Sequence, residues 1–540
     1  MAAIAPGAPT TAQALVRALA DPQSAWPRRA WALLDVREHG AYERGHMPGA
    51  TALPRRRLEF RLPELVPDRA TPVLVYDDGA GDERAARAAA DLHRFGYAGA
   101  RALEGGLGAW LAAGGVPAQG VNVPCKAFGE RVLAEDGVRH LDAETLLARR
   151  EAGEPIAVCD VRTAEEFAAA HLPGARSAPG FELALCLRDL EAAHAAVVVN
   201  CAGRTRSIIG AATLARLGAR SVFALENGTM GWRLSGRALE TDAAADALLA
   251  SPESRAAASG RAAALAAAAG VEPLAPDEAA AAMLTAPGGV RVLDVRAAAD
   301  FEAGHIAGAA FAPGGQAVQR ADDFIAVPGA PVLFVDDGDA RALLAAYWFR
   351  RMGFPRVHVL AGGMPAWRGS GRMVETGRPK AHPLGLAQAR AAAAFVDAAT
   401  LAARLGAPSG EGPLLLDVGS SRDLKAGHIA GAVWVPRGSL EARVGALAPL
   451  DRPVVLASRE EAQSVLAART LAAMGLRQVE VLAGGTAAWH AAGLPLAQGL
   501  PDGASEADVV EPPYRRGLAG MRAYLDWEIA LHGPDAPGEA

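Results

Sequence analysis

Cysteine is scarce in this chain: four residues in 540, at positions 125, 159, 186 and 201. So few exclude a disulfide scaffold, and the absence of any C-x-x-C pair argues against a structural zinc site. Aromatic residues are also few, 5% of the chain, so the core must rest on close contacts between small aliphatic side chains. Basic residues are not in excess. A net charge of −6 speaks against a nucleic-acid or membrane-surface binder, since either partner would repel it. No run of about 18 apolar residues occurs, so no membrane span is expected. Met1 to Thr11 lacks the basic start and apolar core of a secretory signal. A reducing cytoplasm is the expected setting, and no metal or organic cofactor is expected.

What the chain does have is repetition. An apolar stretch ending in Asp-Val occurs four times, as Leu33-Leu-Asp-Val36, Val158-Cys-Asp-Val161, Val292-Leu-Asp-Val295 and Leu415-Leu-Asp-Val418. About ten residues later comes a His-x-x-Gly-Ala turn, at His46, His171, His305 and His428. A second apolar stretch follows (Val73, Val197, Val332, Val454), then a helical stretch ending at Gly96, Gly218, Gly353 or Gly475. A third leads to a tight turn closed by Trp110, Trp232, Trp367 or Trp489. Short apolar runs without alternation, separated by helical stretches, are strands of a parallel sheet covered on both faces. The expected fold class is therefore α/β, built four times in tandem. Expected boundaries are 10–124, 127–242, a helical connector 243–270, 271–377, 383–499, and a remainder 500–540. In that remainder a helix from Tyr514 to His532 places Leu518, Met521, Leu525 and Ile529 on one face, for docking on its own protein.

Ligands of open parallel sheets bind at the carboxyl ends of the strands. In the second repeat that end carries Asn200-Cys-Ala-Gly-Arg-Thr-Arg-Ser207, running into a helix. Amides at a helix start favour negative charge, and Arg204 and Arg206 add formal positive charge. Together they are expected to depress the Cys201 thiol pKa and to stabilise a thiolate or a persulfide anion. The two arginines are expected to grip the oxygens of an anionic donor. Cys201 lies seventeen residues before Gly218; the same count from Gly353 and Gly475 reaches Asp336 and Ser458, and the first repeat has Asp77-Asp78 there. A carboxylate cannot carry a sulfane sulfur, and Ser458 has no evident base beside it. Three of the four sites are expected to be chemically silent.

The Asp-Val-Arg opening, the His-x-x-Gly-Ala turn, the Cys loop and the Gly-Gly-x-x-x-Trp ending together resemble the rhodanese family. The resemblance covers nearly the whole chain, leaving out the connector and the tail. It implies small α/β domains with a central parallel sheet, Cys201 as the persulfide-forming nucleophile, and Ala202, Gly203, Arg204, Thr205, Arg206 and Ser207 as the substrate-binding cradle. Its phosphatase relatives need five residues between Cys and Arg; only four separate Cys201 from Arg206, a tighter loop that suits sulfur rather than phosphate. The implied activity is a thiosulfate sulfurtransferase of rhodanese type, working by a two-step ping-pong reaction. The expected partners are small sulfur donors and thiol acceptors (cyanide in an assay), with no nucleic acid and no membrane. The alternative is a persulfide relay or scaffold whose silent domains bind a protein sulfur donor or acceptor.

Secondary residues have plainer roles. Arg37, Arg162 and Arg296 are expected to pair with nearby acids, Arg162 with Glu166. The four turn histidines occur in live and silent copies alike and are assigned to folding. Cys186 is assigned to packing, with resolution of the persulfide as its alternative. Cys159 is expected in the core and Cys125 exposed in a linker. The sequence departs from its own repeat at Gly419, where the other copies have Arg, and at Asn227, where they have Gly.

Overall fold

The computed structural model describes residues 8–533 except 24, 80, 82, 242–246, 407–411, 448, 450, 502–503 and 505–507. Asp242 and the start of the expected connector therefore lie outside the described residues. Each repeat folds around its own sheet, and every strand pairing is parallel. In the second repeat the order is His140–Leu141, Val222–Leu225, Ala196–Asn200, Ile156–Asp160, Arg176–Ser177. The third and fourth sheets repeat this five-strand order; the first has four strands among the described residues. The edge strands not foreseen from sequence are two or three residues long, too short for any periodic signal.

Central strands are buried along their whole length, as in Ala196–Asn200, which is why they are apolar without alternation. Their register fixes the sites. Asp160 pairs with Asn200, Asp35 with Tyr76, Asp294 with Val335 and Asp417 with Ala457. The next residue along is Cys201, Asp77, Asp336 or Ser458, so these four are structurally equivalent, and Asp77 rather than Asp78 is the first repeat's counterpart. The turn histidines are structural. Each ring Nδ1 lies 2.9–3.0 Å from the carbonyl four residues back. Each histidine backbone also bridges to the chain that leaves its repeat. The four tryptophans are buried as expected, at 2–6% exposure.

Arg162 departs from expectation. It forks onto Asp160 at 2.8–3.0 Å and donates to the Ala170 carbonyl; Arg37 and Arg296 do the same with Asp35 and Asp294. Two residues along a strand end bring these charges closer than four along the following loop and helix, so Glu166 is left for another partner. In the fourth repeat Gly419 supplies no guanidinium, and burial pushes the Asp417 carboxyl up to about 7.

The repeats are not beads on a string. The second and third share one hydrophobic core, in which the Trp348 indole donates to Thr213 at 2.9 Å. The first and fourth are joined by Arg437, which donates to Glu59 at 2.5 and 3.0 Å in a buried fork. Phe60 of the first belongs to the core of the fourth. The connector contains the helix Pro252–Ala268, whose buried stripe is Ser254, Ala258, Ala262 and Ala266. Small side chains every fourth residue let it lie close against the helix Ala340–Met352. Among the described residues no helix is long and apolar enough to cross a membrane.

Candidate active site

Cys201 sits at the mouth between strand Ala196–Asn200 and helix Thr205–Arg216, 2% exposed. Its carbonyl accepts the Thr229 amide at 2.8 Å, which locks the loop against the turn that starts helix Gly228–Leu234. A Cβ on Gly228 would stand 2.2 Å from that carbonyl oxygen, so only glycine allows this approach. The thiol donates to the Ser207 hydroxyl at 3.4 Å, and Ser207 in turn donates to the Arg204 carbonyl at 2.8 Å. Amides of Gly203 and Ser207 also face the sulfur.

Two expectations about the loop are corrected. Its arginines are not free to grip a donor. Arg204 forks onto Glu130 at 2.6 and 2.7 Å and donates to the Asn227 side chain at 3.1 Å. Arg206 forks onto Glu166 at 2.7 and 2.9 Å, holding that carboxyl down at about 2 against its burial. The Cys201 thiol is also raised, not depressed. Burial pushes it up, and Arg206, Ser207 and the Gly203 amide pull it only part of the way back. Arg206 and the loop amides act in the expected direction, but desolvation outweighs them, because the sulfur is enclosed rather than perched at an open helix start.

Asn227 now has a role. It adopts φ 58°, the left-handed conformation its glycine counterparts also use, which asparagine tolerates better than most residues. Unlike glycine it brings a side-chain oxygen, and that oxygen receives Arg204.

The other three strand ends carry no thiol and hold their residues differently. Asp77 accepts the amides of Gly79 and Ala85 at 2.8 Å; Asp336 accepts those of Gly338 and Ala342 at 2.8 and 2.9 Å. At both, a fixed carboxylate takes up the loop amides. Ser458 shares a 2.7 Å hydrogen bond with Ser464; Ser464 stands where Ser207 does in the second repeat.

Above Cys201 lies a cavity of about 690 Å³, lined by Cys201–Arg206 and by residues from well outside the second repeat. Glu43 and Arg44 come from the first repeat, Lys126 from the helix Val123–Glu135, Gln316 and Arg320 from the third, and Tyr524, Trp527 and Glu528 from the tail. That helix runs unbroken through the expected junction at 124–127. Lys126 lies buried over the rings of Tyr524 and Trp527, at 4.9 and 4.7 Å. Cys125, expected exposed, is wholly buried and faces Asp322. Cys159 is in the core as expected. Cys186 is buried, is not among the cavity's lining residues, and its thiol is pushed up to about 11.

The tail helix spans Gly517–Ile529 and docks on the site, by part of the expected face only. Met521, Leu525 and Glu528 are buried; Leu518 and Ile529 are 54% and 44% exposed. Met521 and Leu525 pack on Met230, and Glu528 accepts the hydroxyl and amide of Thr205 at 2.6 and 3.3 Å. Glu130, Lys126, Tyr524, Trp527 and Glu528 were not foreseen. The one signal available was a carboxylate falling on the buried stripe of an otherwise apolar helix face.

Residues 11–113, 142–235, 276–370 and 397–492 each match the Rhodanese-like domain family. The whole chain is similar to the crystal structure of a thiosulfate sulfurtransferase from Pseudomonas aeruginosa, at 37% identity and a TM-score of 0.85, with 96% of each chain covered. Two proteins of Mycobacterium tuberculosis are similar over shorter stretches. The "HTH-type transcriptional regulator Rv0324" is 41% identical over 92 residues, 17% of this chain and 40% of that protein. The "Putative thiosulfate sulfurtransferase SseB" is 32% identical over 180 residues, 28% of this chain and 62% of that one. This chain thus spans less than two thirds of the length of either.

Proposed function

The chain belongs to the rhodanese family, with four tandem rhodanese-like domains, and from that premise we propose that it is a sulfurtransferase whose chemistry runs through a Cys201 persulfide. The carrying observation is that, of four equivalent strand ends, Cys201 alone presents a thiol, and it does so at the floor of a cavity. In the first half-reaction the Cys201 thiolate attacks the outer sulfur of thiosulfate or of a persulfide donor. The donor's S–S bond breaks, and sulfite or a thiolate leaves with the electron pair. In the second, a thiol or cyanide attacks the outer sulfur of the persulfide, and the electron pair returns to Cys201.

Residues Ala202–Ser207 form the cradle in this reading. The Gly203 and Ser207 amides that meet the thiol would serve a persulfide anion equally well. Arg204 and Arg206 act while paired, so they lend field rather than a direct grip. The enclosure of the sulfur favours small donors over a protein surface, and so an enzyme over a protein-to-protein relay. All four cysteines are free, which suits a reducing cytoplasm.

Incubation with thiosulfate followed by intact mass tests this directly. A gain of one sulfur, about 32 Da, mapped to Cys201 is expected, and none in C201S. Normal sulfur exchange by C201S would overturn it. Rapid thiosulfate:cyanide turnover supports the enzyme; trace turnover with a stable persulfide would support the relay.

A further inference from the structure

Glu528 is placed like a reagent rather than a brace. Its side chain is buried and lines the Cys201 cavity. Oε1 is occupied by Thr205; Oε2 makes no hydrogen bond of ordinary geometry among the described residues, and the Tyr524 hydroxyl on the same helix faces the carboxyl. Oε2 lies beside the loop at Gly203, where an added Cβ would stand 3.6 Å from it. A buried carboxylate oxygen without a well-formed hydrogen bond is costly; a purely structural docking contact would satisfy both oxygens. Around it stand Lys126 and Glu130 from the helix Val123–Glu135, Arg204 from the loop, and Tyr524 from its own helix.

We propose that Glu528 is the general base of the second half-reaction, and that the acceptor it serves is an alkyl thiol. The inference rests on the Cys201 persulfide reading. An alkyl thiol is largely protonated at neutral pH, yet its thiolate is the nucleophile. The Cys201 hydrogen faces Ser207, so Glu528 is not engaged by the nucleophile and is left to serve the acceptor. As the acceptor's S–H proton passes to Oε2, its sulfur attacks the outer sulfur of the persulfide. That S–S bond breaks, its electron pair stays on Cys201, and the acceptor leaves as a persulfide. The proton held by Glu528 then passes to the product or to Cys201. No electron is gained or lost overall.

The test uses full-length protein loaded with thiosulfate, freed of excess donor, and discharged in quenched flow with either of two thiols. 2-Mercaptoethanol is protonated at neutral pH; a nitro-substituted aryl thiol is already a thiolate. E528Q keeps an oxygen for Thr205 but cannot take a proton. Discharge by 2-mercaptoethanol is expected to slow at least about tenfold, and discharge by the aryl thiolate by less than about twofold. Equal slowing with both thiols, or slowing with neither, overturns the proposal. If E528Q does not fold, the unmodified protein decides. Discharge by 2-mercaptoethanol should show a solvent deuterium isotope effect that the aryl thiolate lacks, and equal effects overturn the proposal. Should the unmodified protein never gain the sulfur, the persulfide reading itself fails, a result seen before any variant is compared.

Discussion

Thr205 and Glu528 stand 323 residues apart in the chain and are joined by a 2.6 Å hydrogen bond, hydroxyl to carboxylate. That bond ties the start of the helix behind Cys201 to the tail. Thr205→Val keeps shape but removes the hydroxyl, leaving a buried carboxylate with one long amide contact. The tail helix should loosen by about 1–3 kcal/mol. Hydrogen exchange over 517–529 should rise while exchange in the strand Ala196–Asn200 stays slow; an unchanged tail would show that Met521 and Leu525 alone dock it.

Glu166 neutralises Arg206, and Arg206 is the main charge pulling the Cys201 thiol down. Glu166→Gln should therefore lower the thiol pKa. The pH profile of iodoacetamide alkylation at Cys201 should move to lower pH. The same change leaves a buried guanidinium short of its counter-charge, so stability should fall by up to about 3–5 kcal/mol. A profile moving to higher pH would contradict the electrostatic account.

The first and fourth domains meet at Glu59 and Arg437, whose side chains are 2% and 4% exposed. Arg437 overcomes the burial of Glu59 and holds its carboxyl below the usual range. Glu59→Gln should destabilise the pair of domains by about 3–5 kcal/mol, read as earlier proteolytic cleavage between them. Because the pair does not touch the Cys201 cavity, the 32 Da gain should persist. Loss of that gain in a folded variant would mean the fourth domain acts on the site.

Asp417 gives the pH dependence. Its folded carboxyl titrates near 7, raised by burial, while the unfolded one titrates near 3.9. The folded state therefore holds the proton more tightly. Its stabilising effect is complete below about pH 4 and is lost as pH rises through about 7. Asp417→Asn keeps an oxygen for the Gly419 amide, bonded at 2.9 Å, and removes the penalty. The variant's advantage should grow from pH 5 to pH 8, to a few kcal/mol. A gap that is constant with pH would refute this.

The repeat was legible because a parallel sheet covered on both faces forces the same apolar runs, turn glycines and anchoring residues wherever it recurs. Cys201 was legible for the same reason: once the four strand ends could be aligned by counting, the odd residue stood out. Charge at the loop was legible, but its use was not. In the sequence Arg204 and Arg206 stand as free cations; in the fold Glu130 and Glu166 lie against them, and partners 74 and 40 residues away leave no periodic trace.

Sequence alone determined four α/β units, one thiol among four equivalent strand ends, and which histidines and tryptophans hold each unit together. These follow from local patterns, since hydrophobic periodicity and turn stereochemistry act over a few residues. Tertiary structure alone decided that domains two and three share a core, that the tail closes over Cys201, and that desolvation rather than the helix start dominates its thiol. Burial and Coulomb energy depend on what is near in space, and here the neighbours that matter are brought in from three domains and the tail.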